Sequence, residues 1–192
     1  REGPHPIHSR PYHHGARPPI RASQAAEIQR GACLRCSCYI PSMIDDLYSA
    51  RILTLAANMP HAGRLAAPQG SAEKVAKLCG SRIVVDVTLD ADGKVAAFAQ
   101  DVQACALGQA SAAVLGAHVI GAGLDEISTA RDQLAAMLKS GGPAPTGRFE
   151  DLAVLAPVKD YPARHASTLL AFEAAVAAVR PATTRTSGAD AA

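Results

Sequence analysis

Residues 81–102, SRIVVDVTLDADGKVAAFAQDV, constrain the fold of this chain more than any other segment. Isoleucine or valine occupies every second position from 83 to 87, which is the period of a half-buried strand. Ala91-Asp92-Gly93 follows with residues suited to a tight turn. A second strand is predicted from about Val95 to Val102. The segment therefore predicts a β-hairpin.

Helical periodicity flanks this hairpin on both sides. Helices are predicted over residues 43–59, 109–120, 124–138, 149–155 and 167–179. The intervening segments 60–78, 140–147 and 157–162 contain Pro, Gly and other small residues and are predicted as a loop, a flexible break and a turn. The element order predicts an α+β fold, in which a small antiparallel sheet of about three strands packs against several helices.

The two ends of the chain differ in composition from the middle. Residues 1–42 hold six of the 13 Pro and four of the seven His, and they carry a net charge of +4 from six Arg and two Glu. We expect a disordered Pro/Arg/His-rich leader there, or an upstream extension that precedes a domain beginning at Met43. The predicted domain covers residues 43–180, and residues 181–192 are predicted to be a disordered tail.

Charge and hydropathy exclude two classes of partner. The net charge of +2 does not indicate a nucleic-acid-binding protein, and no apolar run reaches the roughly 20 residues that span a bilayer. Aromatic residues are only 4% of the chain, so the core must consist of Ala, Leu, Val and Ile. Five cysteines, an odd number, argue against a secreted disulfide framework and favour a cytoplasmic protein with metal-binding or reactive thiols.

Two cysteines lie at the ends of the predicted strands. Cys79 precedes the first strand of the hairpin, and Cys105 follows the second strand, just before a helix. Adjacent strands can bring both residues to one edge of the sheet. The helix N-terminus would also favour the thiolate of Cys105, which is the form that binds soft metals or accepts sulfur. The alternative is that both are small buried hydrophobic residues.

Further short motifs occur in a fixed order along the chain. They are Tyr48-Ser49, Gly63-Arg64-Leu65, Gly70-Ser71, Cys79-Gly80-Ser81, Ala104-Cys105-Ala106, Ala110-Ser111, Gly123-Leu124-Asp125-Glu126, Tyr161-Pro162-Ala163-Arg164-His165-Ala166-Ser167 and Leu170-Ala171-Phe172. In order and spacing, over residues 43 to about 179, they resemble iron–sulfur cluster assembly scaffold proteins of the IscU/SufU (NifU N-terminal) type. The resemblance implies a SufE/NifU-like sandwich.

The resemblance also implies a metal site, and this chain departs from it at two positions. In the family, three cysteines and one aspartate surround the metal or the nascent cluster. Here Cys79 and Cys105 match, whereas Ser81 stands at the aspartate position and Ser167 at the third cysteine position. His165 and Asp101 are candidate replacement ligands. Ser167 is alternatively the N-cap of the last helix.

Other residues are assigned to partners by the same resemblance. Arg164 holds a position expected near the thiols or at the interface with a cysteine desulfurase, and a surface salt bridge is the alternative. Residues 155–159, Leu-Ala-Pro-Val-Lys, resemble a segment recognised by an Hsp70-type chaperone. In the leader, Cys33, Cys36 and Cys38 have metal-binding spacing, although a disordered segment is the simpler interpretation.

Three functions follow as hypotheses. The first is a non-enzymatic scaffold or sulfur acceptor, which receives sulfur from a cysteine desulfurase, binds iron or a labile Fe–S cluster, and transfers it to apo-proteins. The second is a metal-free interaction protein with the scaffold fold that regulates the desulfurase machinery. The third is a zinc-dependent accessory protein in sulfur transfer. A catalytic Cys–His–acid arrangement is not visible in the sequence.

Overall fold

The computed structural model describes residues 48–189, and the predicted leader and the cysteines within it lie outside this range. The elements in chain order are α1 (Ala50–Ala57), β1 (Gly70–Ala76), β2 (Ser81–Leu89), β3 (Val95–Gln103), α2 (Ala106–His118), α3 (Leu124–Ser140), a 3₁₀ segment (Gly147–Asp160) and α4 (Pro162–Ala189). The predicted α+β fold is confirmed. None of the helices in this part of the chain is long and apolar enough to cross a membrane.

The three strands form one antiparallel sheet in the order β1-β2-β3. The predicted hairpin is its β2–β3 half, where Arg82 pairs with Gln103 and Leu89 with Val95. Asp90 closes the turn, because its side chain accepts hydrogen bonds from the backbone N–H groups of Asp92 and Lys94. The predicted hairpin is therefore confirmed, and its pairing has one irregularity, between Thr88 and Leu89.

Strand β1 was not predicted, and the assignment of residues 60–78 to a loop was wrong. Gly70–Ala76 has no clean alternation, and four of its seven residues are exposed. It becomes a strand because it pairs along its length with β2, from Gly70 opposite Val87 to Ala76 opposite Ser81. Pairing with a central strand thus decides the conformation of a segment whose own pattern is weak.

Helix α1 begins later than predicted. Ser49 is its N-cap, with a side-chain oxygen that accepts a hydrogen bond from the N–H of Ile52 at 3.4 Å. The prediction of a helix over residues 43–59 is therefore wrong for Tyr48 and Ser49, which precede the helix. Residues 43–47 lie outside the described range. The helix ends at Ala57.

The last helix is longer than predicted at both ends. Pro162 occupies its first position, where a missing N–H costs no hydrogen bond. The helix then continues through Pro181 to Ala189, so residues 181–189 are helical although the sequence predicted a disordered tail. Before it, the predicted helix 149–155 and turn 157–162 are replaced by the 3₁₀ segment, which has a kink at Phe149.

Helix α4 packs across β1 and β2 and against α2 and α3. Two glycines permit its close approach. A Cβ on Gly70 would collide with the backbone of Ala178, and a Cβ on Gly108 in α2 would lie 2.8 Å from the Cβ of Ala104 and 3.0 Å from the carbonyl oxygen of Ser167. The core is accordingly made mostly of small and aliphatic side chains, as the low aromatic content predicted, and all three Phe are buried in it.

A buried carboxylate holds the segment before β1 against the sheet. Asp86 in the centre of β2 is fully buried and accepts hydrogen bonds from the guanidinium of Arg64, the N–H of Leu65 and the hydroxyl of Ser71. Burial raises the pKa of Asp86, but the hydrogen bonds and the charge of Arg64 outweigh it, and the pKa lies below its ordinary value. The Gly-Arg-Leu and Gly-Ser motifs therefore converge on one side chain.

We expect Asp86→Asn to lower the free energy of unfolding by about 1–3 kcal/mol at neutral pH, because the amide removes the charge that Arg64 pairs with and adds N–H groups among donors. The matched control is Asp151→Asn, whose carboxylate is partly exposed and contacts Arg51 and His118, and which we expect to cost less than about 1 kcal/mol. Urea unfolding measures both values.

The effect of Asp86→Asn depends on pH. Because the pKa of Asp86 is lowered by folding, its contribution is complete above the ordinary carboxyl pKa of about 4 and is lost as the pH falls through the folded value. The wild-type and Asp86→Asn stabilities should therefore converge in acid. A difference that stays constant across this range would contradict the assigned ion pair.

Candidate metal centre

Cys79 lies in the turn that joins β1 to β2. The N–H of Gly80 donates to the carbonyl of Ala76 at 2.9 Å, and Gly80 has a φ of +69°, a left-handed conformation that glycine adopts without strain. This turn leaves the Cys79 side chain exposed at the end of the sheet. The alternative that the thiol is a small buried hydrophobic group is therefore wrong for Cys79.

Cys105 is the N-cap residue of α2 and is half-buried. Its predicted place at a helix N-terminus is confirmed. Gly108, one turn into α2, allows the helix to approach the backbone of Ser167 in α4. As a result the sulfur of Cys105 lies 3.6 Å from the hydroxyl oxygen of Ser167.

The two cysteines and two serines form one cluster. The sulfur of Cys79 is 3.1 Å from the hydroxyl oxygen of Ser81. Hydrogen bonds from the hydroxyl and backbone N–H of Ser81 lower the pKa of the Cys79 thiol, partial burial opposes them, and the Ser167 hydroxyl and the charge of Arg164 lower it further. The hydroxyl of Ser167 thus lies 3.6 Å from the sulfur of Cys105 and also favours the thiolate of Cys79.

Ser167 is not the N-cap of the last helix, contrary to the alternative suggested by the sequence. It lies inside α4, is fully buried, and donates its hydroxyl proton to the carbonyl of Arg164 at 3.0 Å. A hydroxyl has one proton, so Ser167 can serve either this carbonyl or a thiolate at a given moment. Formation of a thiolate would compete for that proton.

The cluster lies along an open cleft of about 420 Å³ at one end of the sheet. The cleft is lined by Cys79, Gly80, Ser81, Gln103, Ala104, Cys105, Gln109 and Arg164. A second depression, of about 500 Å³, adjoins it at Cys79 and Arg164. It also includes Leu78, whose side chain is 83% exposed. Arg164 thus contributes a cation to both sides of the exposed thiol.

The structure gives His165 and Asp101 other contacts. Nε2 of His165 lies 3.1 Å from the carbonyl oxygen of Val158 and 3.2 Å from that of Lys159, at the end of the 3₁₀ segment. Asp101 pairs with Arg82 at 3.1 Å. Within residues 48–189, no three His, Cys, Asp or Glu side chains form a group able to hold a metal ion. Neither residue therefore replaces the ligands missing at positions 81 and 167.

The donor set supplies half of a tetrahedral shell from soft ligands. Iron in clusters and structural zinc are held by four protein ligands, usually thiolates or imidazoles. Cys79 and Cys105 provide two thiols, and Ser81 and Ser167 provide hydroxyls, which are poor ligands because they are hard to deprotonate. The residues present do not form a closed metal site, and two positions would stay available to ligands from elsewhere.

The segment that resembles a chaperone-recognition sequence is mostly inaccessible. Leu155 and Val158 are fully buried in the core beneath the 3₁₀ segment, and only Lys159 is exposed while Pro157 is half-buried. A chaperone could not contact the two apolar side chains without local opening of this segment.

Sequence reasoning missed Gly108 and Gln109 as parts of the site. Gly108 sets the distance between α2 and α4, and Gln109 lines the cleft while its side-chain amide donates to the carbonyl of Ala104. The available signal was a glycine one turn inside a helix. Because glycine destabilises the interior of a helix, its presence there indicates that another part of the chain packs close to it.

We expect Ser81→Ala to raise the pKa of Cys79, since it removes the hydroxyl hydrogen bond that lowers this pKa most. Alkylation of Cys79 by iodoacetamide at neutral pH should slow about two- to threefold, because the thiolate is the reacting form. Mass spectrometry of the Cys79 peptide over a range of pH gives the midpoint. Ser140→Ala, an exposed serine at the end of α3, is the control. A midpoint that does not move in Ser81→Ala would exclude the hydrogen bond.

Comparisons with known proteins agree on one family. Residues 47–168 match the family model described as the NifU-like N-terminal domain. The crystal structure of a nitrogen-fixing NifU-like protein (N-terminal) from Brucella abortus is 51% identical, with a TM-score of 0.72 over 75% of this chain and 99% of that chain. A search of curated proteins found no match.

Two further solved structures share the fold at lower identity. One is a protein from thermophilic Fervidobacterium islandicum AW-1, described as a candidate iron–sulfur cluster assembly scaffold for the SUF system, with 20% identity and a TM-score of 0.65 over 71% of this chain and 98% of that one. The other is a hypothetical protein with 24% identity, a TM-score of 0.63 and the same coverage. Because the family model covers more than half of the sequence, the chain belongs to the NifU-like N-terminal domain family.

Proposed function

We propose that this protein is a scaffold for iron–sulfur cluster assembly, with iron, sulfide or a labile cluster as its cargo. The observation that carries the proposal is the meeting of Cys79, from the β1–β2 turn, and Cys105, from the N-cap of α2, at one open cleft. Membership of the NifU-like family supports it. A scaffold holds its cargo and transfers it to an acceptor, so no catalytic group is required.

The incomplete ligand set suits a transient cargo. A closed site of four protein ligands would retain iron or zinc, whereas two thiolates leave two positions for a thiol of the donor, of the acceptor or of a small molecule. Iron or a labile cluster is therefore a better cargo than a resident zinc ion. The acceptor apo-protein would complete the transfer by supplying its own cysteines.

Sulfur delivery would use the exposed thiol. A cysteine desulfurase carries a persulfide, and the Cys79 thiolate can attack its outer sulfur. The new sulfur–sulfur bond forms on Cys79, the bond in the donor breaks, and the donor cysteine leaves as a thiolate. The lowered pKa and exposure of Cys79 favour this step at neutral pH. Arg164, beside the thiol, is the residue we assign to contact with the desulfurase, in a cytoplasmic setting.

The number of protein ligands around the cargo can be tested directly. Anaerobic loading with ferrous iron, sulfide and a thiol reductant should give visible charge-transfer absorption in the wild type, which desalting then removes. We expect Ser81→Asp combined with Ser167→Cys to retain the chromophore through desalting, because the set becomes three thiolates and one carboxylate.

Two controls separate site binding from general thiol effects. Ser140→Cys adds an exposed thiol far from the cleft and should behave as the wild type. Cys79→Ser and Cys105→Ser should each reduce loading strongly. A wild-type protein that stays colourless and binds no iron would reject the scaffold proposal and favour the metal-free interaction protein. Unchanged retention in the ligand-restored variant would reject the assignment of positions 81 and 167.

A further inference from the structure

A second cleft lies apart from the thiols, between α3, α4 and the edge strand β1. Its volume is about 770 Å³, larger than the cleft beside the cysteines. Its floor contains the buried side chains of Leu169 and Val176, with Ala135 between them and the rim. None of the residues that line it belongs to the thiol site.

The rim of this cleft carries an excess of positive charge. The cations are Lys74, Arg131, Lys139 and Arg180, and the carboxylates are Asp132 and Glu173, which leaves a net charge of +2. Asp132 is already bound by its neighbour Arg131 at 2.8 Å. Among residues 48–184, whose side chains the structure describes, no ion pair involves the other three cations. Their charges therefore remain available to an anion in the cleft.

The backbone of α4 adds an acceptor to the same cleft. Pro181 lies inside the helix and has no N–H, so it cannot donate to the carbonyl of Ala177 one turn earlier. Ala177 and Pro181 both line the cleft. A ligand with a hydroxyl or amino group could donate a hydrogen bond to this carbonyl.

We propose that this cleft binds a phosphate-bearing small molecule with hydroxyl or amino donors at its other end, of the nucleotide type. A phosphate group carries about −1.5 to −2 at neutral pH, so a phosphate chain has the sign of charge that the positive rim attracts. Arginine and lysine together provide the forked and point-charge donors that phosphate oxygens accept. The volume lies within the range of small-molecule sites. Six of the eleven lining residues are charged, which favours a small anionic ligand over an amphipathic helix.

Isothermal titration of the full-length protein with ATP, in buffer of low ionic strength without magnesium, tests the proposal. We expect saturable binding that weakens as salt is added. Lys139→Glu and Arg180→Glu, made singly, should each weaken binding about tenfold or more, because each places a carboxylate opposite the phosphates. The matched control is Lys94→Glu, an exposed lysine in the β2–β3 turn, which makes the same charge change outside the cleft and should leave the affinity within about twofold.

Three further ligands separate the contributions. Tripolyphosphate should bind more weakly than ATP, because it lacks the donors for Ala177, and adenosine should not bind measurably. Citrate that binds as tightly as ATP would overturn the choice of phosphate. Absence of saturable ATP binding, or an equal loss in Lys94→Glu and the two cleft variants, would overturn the site. Loading of Cys79 and Cys105 with iron and sulfide does not depend on these outcomes, so the two proposals fail separately.

Discussion

The close approach of α4 to its neighbours is the constraint on which the rest of the structure depends. It requires that Gly70 and Gly108 have no side chain, because a Cβ at either position would meet the backbone of α4. Gly70 fixes β1 against one part of the helix, and Gly108 fixes α2 against Ser167. Cys79 follows β1 and Cys105 begins α2, so the same packing that builds the core brings the two thiols to one end of α4. The site is a consequence of backbone distances that only glycine allows.

On the opposite side of the sheet, one charged side chain has a comparable organising role. A single buried carboxylate, Asp86, accepts hydrogen bonds from the guanidinium of Arg64 and the N–H of Leu65 before β1, and from the hydroxyl of Ser71 at the start of β1. Without these donors, burial alone would make the charged form of Asp86 unfavourable. The Gly-Arg-Leu and Gly-Ser motifs of the sequence thus supply the donors of one acceptor, which holds the segment before β1 and the start of β1 against β2.

The sequence predicted those parts of the fold whose signal is local. Strands β2 and β3 are rich in β-branched and apolar residues and flank a recognisable turn, and the pair Cys79 and Cys105 could be found because both flank that hairpin. Strand β1 could not be found, because its exposed residues Ser71, Glu73, Lys74 and Val75 mix polar and apolar side chains without alternation. Ser167 was misread as an N-cap because serine favours that position, while Pro162 begins the helix five residues earlier. Which way His165 points depends on the rotation of α4 against the 3₁₀ segment, and no local pattern encodes it.

Position 167 shows that the stability of the fold and the ligand chemistry of the site depend on different properties of one side chain. Its hydroxyl is buried but satisfied by the carbonyl of Arg164, so the position has no unpaired polar group and gives the helix no reason to move. A thiol there would occupy a similar volume, and it would add a soft ligand 3.6 Å from the sulfur of Cys105. Under the proposed function, the number of thiolates around the cargo could therefore rise from two to three without repacking α4 against α2. Retention of the cargo would then depend on the side chains at positions 81 and 167, whereas the position of α2 and α4 depends on Gly108.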